Sequence, residues 1–422
     1  MPGGLVTLLL ALAIQDPPPL PEPEPTEQPA PQQPADTPPQ ASEEPPVAVR
    51  PPPLLDFTRP FDHVAYEAAL GAIAEAFPDL MRVRSLGTSR GGREIWLAVL
   101  ADTVAEEPRR HPAAVFVTDL APGPAGDVAG PEAAIFVLES LLVRARNDAD
   151  LRESFKTSAL YFLPAPDPDH AFPASPDMAS SGDGDPGIEC RLEENFPARW
   201  QPFGDGVRAP GPYALSEPES ATIARLLLER ENLSTLVLLS REAPPREPPP
   251  GSLRAYARET LDLALLEARP WDGERMQTDI GGAPAGFEAT AALAVSVLEG
   301  LPRLSCSAPR LERLRPDLWL LDLPLRNQGE IPTLGDASRR QGFPSVSMRI
   351  SGGRMVACAL RETRSESFRA LATSLEVVPI GHLDGWEVKE VRIVVQAEEG
   401  AELSFSFSSL RAGNTAVGAT LR

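Results

Sequence analysis

Apolar and polar residues alternate with two different periods along the chain, and the change falls near residue 301. Before that point, apolar residues recur every three to four positions or form short unbroken runs, which predicts helices alternating with buried strands. The elements predicted in this part include a helix at residues 61–77, strands at 81–86, 94–100 and 113–120, and a helix at 130–142. Strands and helices in this order indicate an α/β domain.

After residue 301 the apolar positions alternate with a period of two, and Gly, Pro, Asp and Asn turns separate the runs. The strands predicted here are residues 318–325, 345–350, 354–360, 374–378, 388–396 and 402–407. This pattern is typical of an all-β sandwich of about a hundred residues. We therefore expect folded domains at residues 55–300 and 301–422.

The N-terminal residues differ from both folded parts. An apolar run from Leu5 to Ile14 is too short to span a bilayer and ends in a small-residue pattern suited to signal peptidase. This predicts a signal peptide or N-terminal anchor at residues 1–14 and an exported protein, whether secreted, periplasmic or at the cell surface. Because only the terminal amine is positive before the run, an uncleaved anchor or a misassigned start site remains an alternative. Residues 15–54 are rich in Pro, Glu, Gln and Ala, which predicts a Pro-rich disordered linker.

Composition excludes several kinds of partner. The net charge of −21 and the pI near 4.7 oppose binding to nucleic acid or to an anionic membrane surface. We expect no nucleic-acid partner, and membrane contact only through an uncleaved N-terminal segment. A peptide or a cell-envelope ligand is compatible with this charge. Three cysteines, Cys190, Cys306 and Cys358, allow at most one disulfide bond and have no metal-binding spacing.

Several short motifs resemble the zinc carboxypeptidase family (carboxypeptidase A-like metallopeptidases). They are Gly-Thr-Ser-Arg-Gly-Gly-Arg at residues 87–93, Pro-Asp-Pro-Asp-His at 166–170, Arg-Leu-Glu-Glu-Asn-Phe-Pro at 191–197 and Ser-Glu-Pro-Glu at 216–219. The turns at residues 327–333, 381–385 and 409–413 resemble turns of the β-domain that follows the peptidase unit in some bacterial members. The resemblance implies the fold class α/β, with a carboxypeptidase-like mixed sheet flanked by helices, followed by an all-β sandwich domain.

The same resemblance implies where zinc ligands would lie. The family supplies His-x-x-Glu from the loop after a strand and a second histidine after a later strand. Counting forward from the strand gives Ala121 and Pro124, counting back from residues 130–132 gives Pro124 and Asp127, and the last position is Ser240. Because a catalytic zinc site needs three nitrogen or oxygen ligands, we expect no cofactor, or zinc if a divergent site exists. The four histidines, His63, His111, His170 and His382, are not spaced to share a metal.

The family's general base is matched best by Glu267, near the end of a late strand, which we interpret as a vestigial catalytic candidate. Glu193 and Glu194 occupy the positions of the Asn-Arg pair that grips the substrate carboxylate. A groove with these residues is expected to disfavour free carboxylates and to favour amines, basic peptides or a divalent cation; alternatively, both glutamates simply face solvent. The predicted groove residues are Asp127, His170, Arg191, Glu193, Glu194, Asn195 and Ser240.

Three functional hypotheses follow from the sequence. The first is an exported, non-catalytic pseudo-peptidase with a binding or scaffolding role. The second is an active metallocarboxypeptidase that hydrolyses peptide C-termini at a divergent site, and the third is a purely structural surface module. A serine hydrolase is disfavoured, because Ser240 has no nearby histidine in sequence and no nucleophile-elbow glycines. An open groove favours binding, and a filled groove favours the structural hypothesis.

Overall fold

The computed structural model describes most of the chain after residue 60. The described residues are 61–102, 111–118, 120, 129–172, 192–202, 210–240, 246–268, 285–335, 338–339, 345–362, 365, 367–371 and 376–422. The predicted N-terminal segment and linker, together with Asp127 and Arg191, lie outside them. Leu54–Arg422 forms one compact unit.

The first part of this unit is a mixed six-stranded sheet in the order β1-β2-β4-β3-β5-β6. Its strands are β1 (Met81–Thr88), β2 (Glu94–Leu100), β3 (Ala113–Thr118), β4 (Ala159–Leu163), β5 (Leu233–Leu239) and β6 (Ala264–Ala268). β1 and β2 form the predicted antiparallel hairpin, and β2 is antiparallel to β4. β4, β3, β5 and β6 are parallel to one another, so their carboxyl ends share one edge of the sheet. In α/β folds, ligands bind outside this edge.

Helices cover both faces of this sheet. They are α1 (His63–Ala76), α2 (Ala129–Asn147), α3 (Ala149–Thr157), the short α4 (Pro168–Ala171), α5 (Pro218–Glu229), the short α6 (Leu253–Ala255), which continues into a π-helical turn (Tyr256–Thr260), and α7 (Ala285–Gly300). Asp62 caps α1 by accepting a hydrogen bond from the Ala65 N–H at 2.8 Å. Within the described residues, no helix combines the length and the apolar character that a membrane crossing requires.

Alternate residues of each strand serve two separate cores. Along β3, Phe116 packs with α1, α2 and α7 on one face, whereas Val115 and Val117 pack with α5 on the other. A strand buried on both faces reads as a continuous apolar run rather than an alternating one. This explains why the run at residues 113–120 could be identified as a buried strand from sequence.

The C-terminal part consists of two antiparallel sheets over a third apolar core. One sheet has the order β13-β10-β15-β16, and the other has the order β12-β11-β14-β9-β7 with β8 also paired to β9. The strands are β7 (Leu304–Cys306), β8 (Arg310–Arg315), β9 (Leu318–Asn327), β10 (Val346–Ser351), β11 (Arg354–Glu362), β12 (Arg369–Leu371), β13 (Val378–Gly381), β14 (Val388–Gln396), β15 (Glu402–Ser409) and β16 (Gly413–Thr420). The predicted all-β character is confirmed.

Some strands differ from the prediction. Of the strand expected at residues 374–378, residues 374 and 375 lie outside the described part, residues 376 and 377 are not in a strand, and β13 begins only at Val378. β7, β8, β12 and β16 were not predicted. β8 reads Arg-Leu-Glu-Arg-Leu-Arg and is largely exposed, so it carries no apolar run to reveal it. Its backbone is held by pairing with β9, an interaction that the local sequence does not encode.

Candidate functional site

Four segments meet at the carboxyl edge of the parallel strands, and a buried arginine joins them. Ser240 follows β5, Glu267 lies in β6, Glu193 lies in a 3₁₀ turn (Leu192–Glu194), and Arg254 lies in α6. The Arg254 Nε donates to Glu267 Oε1 at 3.0 Å, and its Nη1 donates to Glu193 Oε1 at 2.5 Å. Its Nη2 makes a long contact of 3.5 Å to Ser240 Oγ. We call these four residues the Arg254 network.

The network is shielded from solvent. The Arg254 side chain is 8% exposed, and the Glu193 and Glu267 side chains are each 12% exposed. Burial opposes the charge of Arg254, but the Glu193 and Glu267 carboxylates outweigh it and raise the pKa of the guanidinium. Arg254 therefore stays protonated and compensates one of two carboxylate charges that would otherwise repel each other in a medium of low dielectric constant.

One polar atom of the network is unused. Glu267 Oε2 is buried and has no hydrogen-bond partner within the described part of the chain. A buried carboxylate oxygen without a donor is unfavourable, so a donor brought by water or by a ligand would be stabilising there.

Backbone pairing holds Glu193 and Arg254 on adjacent segments. The Phe196 N–H donates to Gly251 O at 2.7 Å, and the Gly251 N–H donates to Ala198 O at 2.6 Å. The Phe196 ring stacks on Tyr256 with centroids 5.8 Å apart. Gly251 has φ +74°, and a Cβ there would lie 2.4 Å from Glu194 O, so this close approach requires glycine.

Asn195, a predicted groove residue, is fully buried. Its Nδ2 donates to Pro210 O at 2.6 Å and to Tyr213 O at 3.1 Å, and its Oδ1 accepts from Ser220 Oγ at 2.5 Å. These bonds use the amide inside the protein and fasten the loop that carries Glu193. Glu194, in the same 3₁₀ turn as Glu193, is half-buried.

His170 lies away from Arg254, in α4, where its N–H donates to Asp167 Oδ1 at 3.1 Å. It belongs to a second group of charged residues around the β1–β2 turn, which we call the acidic cluster. The cluster consists of Asp167, Asp169, His170, Glu217 and Glu219 with Arg90 and Arg93. Since Asp169 and Glu219 accept backbone N–H groups of the β1–β2 turn, this cluster anchors the hairpin.

Glu219 provides a test of the acidic cluster. Burial raises the pKa of Glu219, and the neighbouring Asp167 and Asp169 carboxylates raise it further. The hydrogen bond from the Arg90 N–H lowers this pKa, but the net shift is upward. A raised folded-state pKa means that protonation stabilises the fold, so this stability is present at low pH and lost as the pH rises through that pKa. We expect Glu219→Gln to have a higher Tm than the parent protein at pH 8 and the same Tm at about pH 4.

Asp79 is the matched control for this experiment. Its pKa is lowered, chiefly because Arg152 hydrogen-bonds to it, so its contribution to stability is lost as the pH falls. Asp79→Asn is expected to lower the Tm slightly at pH 8 and to converge with the parent protein in acid. A Glu219→Gln protein that is less stable than the parent at pH 8 would contradict the assignment.

The described residues do not fit a zinc ion. They contain no group of three His, Cys, Asp or Glu side chains arranged to hold a metal. At the edge where β5 and β6 end, the available oxygens are a serine hydroxyl and carboxylates that already bind a guanidinium. The counted positions Ala121, Pro124 and Asp127 lie outside the described residues, so the absence of zinc ligands there stays a prediction.

The sequence prediction selected Glu193, Ser240 and Glu267 separately, and the structure brings them together. It did not select Arg254. The local signals were Ser252, which caps α6 by accepting from the Ala255 N–H at 3.0 Å, and the strand that follows. They indicate a helix start but do not show that an arginine points to the end of β6.

The mixed sheet with its site at the carboxyl edge is the arrangement expected of a carboxypeptidase-like α/β protein. Residues 66–240 match the family model described as zinc carboxypeptidase, and residues 303–420 match that of a domain of unknown function, DUF8731. Residues 66–240 therefore resemble a zinc carboxypeptidase domain, and a further C-terminal domain follows them. Both the suspected family and the predicted fold class are confirmed.

Solved structures that are similar to part of this chain include two carboxypeptidases. Carboxypeptidase A from Helicoverpa armigera is 18% identical, with a TM-score of 0.43 over 56% of this chain and 72% of that chain. A metallo-carboxypeptidase from Burkholderia cenocepacia is 13% identical, with a TM-score of 0.38 over 57% of this chain and 69% of that chain. No curated protein matches the chain. Arg254 and Glu267 lie between the two family matches, in a segment that neither covers.

Proposed function

We propose that this is an exported, non-catalytic carboxypeptidase-like protein with a binding or scaffolding role. One observation carries the proposal: the Arg254 guanidinium lies between Glu267, the candidate base, and Ser240, the expected position of the last zinc ligand. A side-chain cation therefore takes the place at the sheet edge where the family would be expected to hold a metal.

The chemistry of a guanidinium supports a non-catalytic role. Metallopeptidases use a metal with an open coordination position to lower the pKa of a bound water. A guanidinium has no coordination position, keeps its protons at all relevant pH values and donates hydrogen bonds only. Because the Arg254 Nε donates to Glu267 Oε1, one of the two oxygens of the candidate base is already bonded to a cation.

Glu267 also supports a binding role over a purely structural one. A network that only filled the groove would be expected to satisfy all its buried atoms, yet Glu267 Oε2 lacks a partner among the described residues. A ligand with an N–H or O–H donor, such as a peptide or a cell-envelope molecule, would satisfy this oxygen. Arg254 compensates one of the two carboxylate charges of Glu193 and Glu267, which weakens the attraction for amines that was predicted from Glu193.

Metal analysis tests the proposal. We expect the full chain, after dialysis against a chelator, to hold less than about 0.1 equivalent of zinc and to release no C-terminal residue from model peptides. Tightly bound stoichiometric zinc with zinc-dependent hydrolysis would instead support the active metallocarboxypeptidase.

Glu267→Gln serves as the control for contaminating peptidases. If the protein is a divergent enzyme with Glu267 as its base, this variant should lose hydrolysis by a large factor, typically about 100-fold or more. Trace hydrolysis that is the same in both proteins comes from a contaminant and leaves the proposal standing.

A further inference from the structure

The C-terminal domain donates hydrogen bonds to the turn that leads from the Arg254 segment into β6. Arg411 lies between β15 and β16, and its two terminal nitrogens donate to backbone carbonyls of the α/β domain. Nη1 donates to Asp262 O and Nη2 donates to Leu261 O, each at 2.6 Å. The Arg411 side chain is only 20% exposed, so water competes little for these bonds.

A second contact from the C-terminal domain holds the same turn. The Ser338 N–H donates to Asp262 Oδ2 at 3.3 Å. A Cβ at Gly335 would lie 2.3 Å from Asp262 Oδ1, so the chain at Gly335 is pressed against this side chain. Asp262 is 6% exposed and has φ +55°, a left-handed conformation that is uncommon for residues other than glycine, although aspartate adopts it more often than most.

The turn at Leu261 and Asp262 connects the segment that carries Arg254 with the strand that carries Glu267. The Leu261 N–H donates to Tyr256 O at 3.1 Å, and the Leu263 N–H donates to Ala257 O at 2.9 Å. These bonds close the π-helical turn that extends α6, which carries Arg254, and β6 with Glu267 begins directly afterwards. π-Helical turns are uncommon and often occur at functional sites.

We propose that Arg411 is a positioning residue through which the C-terminal domain sets the geometry of Arg254 against Glu267. The domain of unknown function is thus a working part of the site rather than an independent module. The inference deepens the proposed function, because it concerns the same network, but it depends on the contacts of the turn and not on whether the site binds zinc.

A forked cation suits this task. The guanidinium presents parallel donors on a rigid plane and so meets two successive carbonyls at once, whereas a lysine ammonium is a single compact centre. The Arg411 guanidinium donates to the carbonyls of both Leu261 and Asp262, and so it holds both peptide planes of the turn. Loss of the fork would free the turn and loosen the angle between α6 and β6.

Hydrogen exchange at Arg254 tests the inference. In ¹⁵N NMR of the full chain, the Arg254 Nε–H signal is identified by its loss in Arg254→Lys. Because this proton is bonded to Glu267 Oε1, it exchanges slowly while the network is closed. We expect Arg411→Ala to speed its exchange by about tenfold or more through local opening, and millimolar methylguanidinium to reverse the change.

Arg392→Ala is the matched control. Arg392 is a buried arginine of the same domain that pairs with Asp322 through two bonds of 2.7 and 2.9 Å, across β14 and β9. It is expected to destabilise the C-terminal domain and to leave the Arg254 Nε–H exchange rate unchanged. Equal exchange in the parent and Arg411→Ala proteins, or equal acceleration in both alanine variants, would overturn the inference.

Arg411→Lys keeps the test decisive if Arg411→Ala fails to fold. This variant retains the charge and loses the fork, so exchange faster than in the parent protein is expected, and an unchanged rate would overturn the inference. Stoichiometric zinc in the parent protein would refute the proposed function without changing this readout.

Discussion

Replacing Arg254 with alanine is expected to lower the free energy of unfolding by about 3–5 kcal/mol, because it leaves buried carboxylates without their cation. Glu193 and Glu267 both contact the guanidinium and are each 12% exposed, so solvent cannot take over its role. Urea unfolding followed by tryptophan fluorescence measures the change. The dependence of the unfolding free energy on urea concentration is compared between the variants, to check that unfolding exposes the same surface area in each.

Two variants control this experiment. Arg199 pairs with Glu259, but the side chains are 48% and 40% exposed, so Arg199→Ala should cost less than about 1 kcal/mol. The triple variant Arg254→Met, Glu193→Gln, Glu267→Gln removes all three charges and should recover much of the loss. If Arg254→Ala costs no more than Arg199→Ala, Arg254 is not a buried cation that the fold requires.

Gly251→Ala is expected to cost about 2–5 kcal/mol, the sum of a strained backbone conformation and an overpacked contact. The added methyl group would lie 2.4 Å from Glu194 O, at a φ of +74°. Relief requires the loop with Glu193 to move away from α6, so the variant should also speed exchange of the Arg254 Nε–H. Thermal unfolding and NMR measure the two effects.

Gly92→Ala separates the two contributions. Gly92 has φ +82°, but nothing lies within 4 Å of a Cβ built there, so only the conformational cost of about 1–2 kcal/mol remains. Its site lies in the β1–β2 turn, so Arg254 exchange should not change. Similar losses in Gly92→Ala and Gly251→Ala would show that the Glu194 contact is not tight.

Local pattern predicted the elements that bury their own apolar residues. The helix at residues 61–77 and the strand at 113–120 correspond to α1 and β3, because burial requires apolar residues at regular spacing. β8 and β16 were missed, since one is charged and exposed and the other consists largely of small residues. Neighbouring strands determine both, and a single-sequence pattern does not contain that information.

The site was predictable only in part, for a related reason. Ser240 and Glu267 follow or end parallel strands, so strand order alone places them at one edge. Arg254 reaches that edge because Gly251 permits close backbone pairing and because the C-terminal domain holds the turn after it. These are tertiary contacts between segments far apart in sequence, and no local spacing rule reveals them.

A cation that is covalently part of the chain changes how the protein responds to its surroundings. A bound ion stabilises a fold by an amount that depends on its free concentration, by mass action. Arg254 cannot dissociate, so its pairing with Glu193 and Glu267 is independent of dilution, chelators and competing ions. The positive charge at this edge of the sheet is therefore present in every folded molecule and does not depend on an ion bound from solution.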